Sequence, residues 1–354
     1  MADVNYSAAK SINWLQGTGP ESDVVLSSRL RLARNLSNYP FMARLSSAQR
    51  SEVIQKVEKA VQESNFLKKA NFIRLKDLNE IDRQFFMERH LISYELAHED
   101  GESAVAITSD EVVSLMVIEE DHLRLQVFQS GLNLIETWRI ASEIDTELER
   151  ILDYAFDATL GYLTACPTNV GTGIRASCML HLPSLVFTKQ VHKVLQALSK
   201  LNLAVRGLYG EGTQALGNFF QFSNQITLGQ PETEIIDNLE GVIKQVISHE
   251  REAREYLKKK KKDKMEDQIW RSLGVLKAAR IISSQEAIQL LSLVQAGVDI
   301  GILEGQVTHR DLNQLFLLIQ PGHLQKMCGS ELSVADRDMR RADQIRKYFS
   351  KVVL

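Results

Sequence analysis

The chain has 354 residues, 44% of them hydrophobic and 25% charged, with a net charge of −3. This is the balance of a soluble globular protein with room for one large domain, or a large one and a small one, and it excludes a general attraction to nucleic acid. No stretch approaches the roughly 20 apolar residues of a membrane span, the first residues lack the apolar centre of a signal peptide, and Cys166, Cys178 and Cys328 are too scattered for a disulfide framework or a zinc site, which predicts a reducing cytoplasm.

Residues 1–20 read as a short lead-in helix and turn. From Asp23 to about Gln230, strand-like runs alternate with helical ones. The strand candidates are AVAITSD from Ala104, VVSLMVIEE from Val112, HLRLQVFQ from His122, LAVRGLYG from Leu203 and FFQFSNQITL from Phe219. Helical spacing predicts helices over LNLIETWRIASEIDTELERILDYAF from Leu132 and SLVFTKQVHKVLQALSKL from Ser184. After Pro231 the pattern is helical throughout, with a long amphipathic helix over ETEIIDNLEGVIKQVISHEREAREYL. LKKKKKDKMED, from Leu257, is a charge run with acidic flanks and no interleaved aromatics, so it reads as a solvated face. Trp270–Leu303 and Gln306–Cys328 read as a small helical bundle. The organisation is a sheet domain followed by an all-helical one.

No GxxxxGK[ST] loop is present. GEGTQA from Gly210 imitates a dinucleotide turn, but a strand-like run follows where that fold needs a helix. CPTNVGTGIRASCML, from Cys166, carries more. Its arginine, Arg175, lies nine positions after the cysteine, too far for the six-residue phosphatase cradle. Gly171 and Gly173 allow positive φ and close backbone approach to a ligand, and Arg175 is expected to open a helical run whose start favours an anion.

Arg29 and Arg31 alternate in VVLSSRLRLARN and share one face if the segment is extended. Arg124 alternates within HLRLQVF, and Arg206 interrupts an apolar run. Each alone would be a surface arginine with a packed stem. Together with Arg175 they can hold a triphosphate by paired donors in place of a glycine loop. Glu119, Glu120 and Asp121 follow a β-branched run, and Glu211 sits between two glycines, so carboxylates are available to face a cationic substrate.

SSRLRLARN, EEDHLR, CPTNVGTGIRAS, RGLYGEGTQALGN and SNQITLG, in that order, resemble the phosphagen kinase superfamily, the ATP:guanido phosphotransferases. ERHLIS from Glu88, GYLTACPTNVGTGIRASCMLHLP from Gly161 and RDMRRA from Arg337 are most similar to its bacterial protein-arginine-kinase branch. The resemblance implies an α+β fold: a glutamine-synthetase-like antiparallel sheet flanked by helices over 23–256, after a lead-in at 1–22, then an all-α domain at 257–354. It implies ATP contacts at Ser27, Ser28, Arg29, Leu30, Arg31, His90, Arg124, Arg175, Ala176, Ser177, Cys178 and Met179. It adds Arg206, Gly207, Leu208, Tyr209, Gly210 and Glu211, with Mg²⁺ accompanying the nucleotide.

By the same resemblance Glu120 is the base, Glu211 a second clamp, and Cys166 lies against the guanidinium. Arg337, Asp338, Arg341 and Ala342 are implied to form a regulatory phosphoarginine site. The implied activity is phosphorylation of arginine side chains in proteins. Such marking feeds proteins to a Clp-type protease and controls a heat-shock repressor, with an activator protein and a homodimer as further implied partners. Two other readings stand beside it: a kinase of free arginine or another small guanidine, and a non-catalytic phosphoarginine-binding adaptor. The chain differs from the family's usual residues at Ile118 (Asn), Gln214 (Glu) and Tyr94 (Pro).

Overall fold

The computed structural model describes residues 12–199, 203–207, 215–303, 305, 307–350 and 352. Its centre is strand β1 (Val25–Arg34), where strict alternation sends Leu30 and Leu32 into the core and Arg29 and Arg31 to the opposite face. Helix α1 (Ser47–Glu63) starts at a capping box in which Ser46 and Gln49 satisfy each other's backbone N–H groups. Then follow β2 (Asn71–Arg74), α2 (Glu80–Glu88), α3 (Tyr94–Ala97), β3 (Ala104–Ile107), β4 (Val113–Val117) and β5 (Leu123–Ser130). The next elements are α4 (Leu134–Glu149), the small hairpin β6 (Phe156–Asp157) and β7 (Gly161–Tyr162), and β8 (Ile174–His181). Helices α5 (Pro183–Phe187) and α6 (Val191–Ser199) lead to β9 (Leu203–Gly207) and β10 (Phe219–Asn224).

Eight strands form one antiparallel sheet in the order β2-β3-β4-β5-β1-β8-β10-β9. One face carries the main core, covered by α1, α4 and the 29-residue α7 (Glu232–Lys260). On the other face α2 and α3 cover the β2–β4 side through Phe85, Phe86 and Leu96, and Trp14 and Leu15 pack on Phe128 of β5. A second core joins α8 (Lys262–Ala278), α9 (Ser284–Asp299), α10 (His309–Leu318) and α12 (Val334–Phe349), with α11 (Pro321–Cys328) docked on α2. Helix α7 enters both cores: its Ala253 belongs to the first and its Leu257 to the second.

Several local expectations are corrected. Arg175 does not open a helix; it lies inside strand β8. The helix expected from Leu132 to Phe156 ends at Glu149, and Phe156 belongs to a hairpin. The helix expected from Ser184 is split into α5 and α6 at Lys189, which has φ +59°. The 3-10 turn Asn13–Leu15 stands for the lead-in helix among the described residues. The strand expected from Val112 to Glu120 ends at Val117, because Ile118 turns back with φ +62° and its N–H meets the His122 carbonyl at 2.9 Å. A β-branched residue there costs about 1–2 kcal/mol, which its complete burial, worth about 1.5–3 kcal/mol, offsets.

Candidate active site

Strand register assembles the site. Arg31 lies opposite Arg175 on β8 and Gln126 on β5, and Arg29 lies opposite Ser177 and Phe128. Ser27 faces Met179, which in turn faces Gln221 of β10, and Gln221 faces Arg206 of β9. Arg124 stands on β5 beside Ala33. One sheet face thereby gathers five arginines that are scattered along the chain. Arg31, Arg124, Arg175 and Arg206 line a single cleft.

The positive charge there is under-compensated. Burial lowers the pKa of Arg29 to about 9, with Arg124 adding to the fall. Burial, then Arg29, Arg124 and Arg175, lowers Arg31 well below the ordinary guanidinium value. The Nε atoms of both are buried and make no hydrogen bond among the described residues. Glu119 is the acid that opposes this charge: burial would raise its pKa, but its ion pair with Arg124 holds it below the usual carboxylate range. Like-charged donors held this close favour a polyanion that offsets their mutual repulsion.

The opposite wall of the cleft carries Glu120, Asp121 and Cys166. Glu120 is exposed to the cleft, and partial burial followed by the like charges of Asp121 and Glu119 raises its pKa. The Asp121 carboxylate accepts the Asn35 side-chain amide and the Ala165 N–H, each at 2.6 Å. One carboxylate thus ties the Glu120 turn to the Cys166 loop. Cys166 Sγ lies 3.0 Å from the Thr168 hydroxyl. Gly171 and Gly173 serve close approach to the protein's own backbone: a Cβ on Gly171 would lie 2.3 Å from the Thr227 carbonyl oxygen, and one on Gly173 would lie 2.6 Å from that of Ala33.

A second, mainly apolar cavity opens beside Ser27, Arg29, His90, Ser177 and Met179. Trp14 stacks on Phe128 at 4.9 Å there, and Arg29 lies 5.2 Å from the Phe128 ring centre. His90, with φ +58°, is kept neutral by burial and by Arg29, which bring its pKa down to about 4.

The structure divides the expected nucleotide residues. Ser27, Arg29, Arg31, His90, Arg124, Arg175, Ser177, Met179 and Arg206 all line one of the two cavities. Ser28, Leu30, Ala176 and Cys178 alternate to the opposite face and are buried in or against the main core, Ser28 donating to the Gly131 carbonyl. Gly207 ends β9 opposite Phe220. Leu208, Tyr209, Gly210, Glu211 and Gln214 lie outside the described residues. On α12, Arg341 is buried and donates to the carbonyls of Ile319 and Ile282, both at 2.9 Å, and to Asp338. Arg337 donates to the Leu332 carbonyl, and Ala342 is in the helical core. Sequence reasoning missed Asn35, Gln126, Trp14 and Phe128. The first two were legible only through register, and the aromatics looked like ordinary core.

Residues 52–253, more than half of the chain, match the ATP:guanido phosphotransferase C-terminal catalytic domain. The chain belongs to the ATP:guanido phosphotransferases. Residues 262–353 of this phosphotransferase match the protein-arginine kinase McsB C-terminal domain. It is 50% identical over 347 residues to the protein-arginine kinase of Moorella thermoacetica, covering 97% of this chain and 99% of that one. It is also 50% identical to that of Symbiobacterium thermophilum, over 95% and 96% of the two chains. In fold it is similar to the duplicated taurocyamine kinase of Schistosoma mansoni with bound transition-state-analogue components (TM-score 0.59, 24% identity). That match covers 66% of this chain and 34% of the duplicated one. Lombricine kinase is comparable, with a TM-score of 0.57, 24% identity, and 69% and 70% of the two chains covered. The phosphotransferase is a kinase of guanidino nitrogen with a phosphagen-kinase-like antiparallel sheet.

Proposed function

We propose that the protein transfers the γ-phosphoryl group of ATP to arginine side chains of other proteins. The observation that carries this reading is the single cleft in which Arg31, Arg124, Arg175 and Arg206 face Glu120 and Cys166. A guanidinium nitrogen is a poor nucleophile because its lone pair is delocalised. Glu120 takes one of its protons as the nitrogen attacks the γ-phosphorus and the bond from that phosphorus to the ADP oxygen breaks. The arginines hold the three equatorial oxygens of the transferring group so that the attacking nitrogen and the leaving oxygen lie in line, and they balance the charge that gathers on ADP. Cys166 sits on the guanidinium side, and Glu211 is assigned as a second clamp.

Among the described residues no group of three acids, histidines or cysteines could hold a metal ion. Mg²⁺ is assigned to the substrate, as Mg-ATP. The wider reading includes delivery of marked proteins to a Clp-type protease, control of a heat-shock repressor in the stress response, and an activator protein. Its support is the resemblance of the motifs alone.

We divide the chain into a lead-in at 1–22, a catalytic domain at 23–256 and a helical domain at 257–354. In the last, Arg337, Asp338, Arg341 and Ala342 are assigned to an allosteric phosphoarginine site. Because Arg341 already serves two carbonyls, Arg337 is the phosphate ligand of that site and Arg341 its frame. Exposed Ile281, Val334 and Met339 on the same domain support a homodimer. Three free thiols support a reducing, cytoplasmic setting.

The test is incubation with Mg-ATP and an arginine-rich unfolded protein, with free arginine in parallel, read by phosphorus NMR at mildly alkaline pH. Phosphoarginine on protein, lost in Glu120→Ala, is the expected result. Signal with free arginine alone would move the activity to small guanidines. No transfer in either, with phosphoarginine still bound, would leave an adaptor.

A further inference from the structure

The apolar cavity has a feature the phosphate chemistry does not use. Trp14 and Asn313 are both almost wholly buried and both line it. The Trp14 Nε1 donor and the Asn313 Oδ1 acceptor make no hydrogen bond among the described residues. Asn313 is otherwise fixed, since its Nδ2 donates to the Leu15 carbonyl at 3.2 Å, which leaves the oxygen as the free end. A buried donor and a buried acceptor without partners each carry a desolvation cost of about 1–3 kcal/mol. They stand beside stacked aromatic rings and next to Arg29, the link to the phosphate cleft. A flat, amino-bearing heterocycle on an anionic tail satisfies all of these groups at once.

We infer that Trp14 and Asn313 read the nucleobase: Asn313 Oδ1 accepts from the 6-amino group of adenine, and Trp14 Nε1 donates to N7, a ring nitrogen that accepts in adenine and hypoxanthine alike. The inference rests on the proposed ATP-dependent activity and adds its base specificity. It also gives the helical domain a part in nucleotide recognition, because Asn313 belongs to α10. The position of α10 is fixed from the catalytic side. The buried Glu88 carboxylate, at the end of α2, accepts the N–H groups of Gly322 (2.6 Å) and His323 (3.0 Å) at the start of α11, and meets the His323 ring at 2.8 Å. A Cβ on Gly322 would lie 2.9 Å from that carboxylate. Two residues beyond Glu88, His90 also lines the cavity, its carbonyl accepting from Gln126 at 2.5 Å. Glu88 is thus a positioning residue that holds two walls of one cavity together.

The discriminating partner is inosine triphosphate, which carries a 6-oxo group and would set its oxygen against Asn313 Oδ1. The experiment measures kcat and KM for ATP and for inosine triphosphate, together with inhibition by tripolyphosphate, which has no base. Wild type is expected to favour ATP by at least about tenfold in kcat/KM, the effect of one lost buried hydrogen bond of about 1.4 kcal/mol. Asn313→Leu should bring that ratio close to one by raising the KM for ATP, with tripolyphosphate inhibition unchanged. Trp14→Phe keeps the ring and should weaken both nucleotides alike, again without moving tripolyphosphate. Glu88→Gln should raise the KM for both nucleotides while kcat at saturation stays within about twofold.

An Asn313→Leu enzyme that keeps the ATP preference, or loses ATP and tripolyphosphate equally, overturns the assignment. Should Asn313→Leu fail to fold, Trp14→Phe decides: unchanged nucleotide KM values sink the inference. A wild type that transfers nothing is a failure of the kinase reading instead. Quenching of tryptophan fluorescence by adenosine, weaker with inosine, then still tests the cavity by itself.

Discussion

Strand β1 uses arginine in two opposite ways along its length. Arg34 is buried on the core side, where Asp145 pairs with it at 2.7 Å, the carbonyls of Ala33 and Thr172 accept from it, and its guanidinium lies 3.5 Å from the Tyr162 ring centre. Arg29 and Arg31, only a few residues earlier, are half-buried, and the neighbouring arginines disfavour their charge while Glu119 supports it. The same side chain is a finished structural part in one place and an unfinished binding part in the other. What decides the difference is compensation: Arg34 has its own carboxylate, and Arg29 and Arg31 are surrounded by like charge.

The sharpest way to break this contrast is to remove each arginine in turn. Arg34→Met strands Asp145 beside the core, and denaturant unfolding should show a loss of about 3–5 kcal/mol. Arg31→Met removes a charge that burial and its neighbouring arginines disfavour, so the melting temperature should hold or rise. Mg-ATP affinity should drop about 10- to 100-fold, the worth of about 1.5–3 kcal/mol for a hydrogen bond to a charged group; isothermal titration calorimetry reads it. Equal stability losses in the two variants would erase the distinction.

A subtler measurement follows the acid side. Glu120 must be ionised to take the guanidinium proton. Its pKa is raised by burial and by Asp121 and Glu119, so activity is present above that raised value and is lost as pH falls through it. The acid limb of kcat/KM is expected above the ordinary glutamate value of about 4.3. Glu119→Gln removes one like charge and frees Arg124, so the limb should move down. A limb that stays put would mean that another group carries the proton.

How much of this was legible follows the same division. Charged residues in apolar runs are rare enough to be noticed, so all five arginines, Glu120 and Cys166 could be picked out before any fold was known. Alternation in VVLSSRLRLARN placed Arg29 and Arg31 on one face, but the same alternation puts Ser28 and Leu30 on the other, and motif resemblance had swept them into the nucleotide set. Arg175 was read as a helix start because GTGIRASCML has no turn after it to separate a strand from a helix; only pairing with β1 decides. Trp14 and Phe128 could not be distinguished from core aromatics, since what marks them is each other's position.

Helix α7 has a practical consequence. The two family segments stop at residue 253 and start at residue 262, yet α7 runs without interruption from Glu232 to Lys260. Arg254, one residue past the first segment, bonds Asp23 at the entry to β1, Glu250 within α7 and Asp299 at the end of α9. A recombinant fragment cut at the family border would therefore lose the residue that fastens the first strand to both units. A separately produced catalytic half should be soluble only if it keeps the chain through Lys260 and replaces the face that Leu257 and Arg254 present to the helical core.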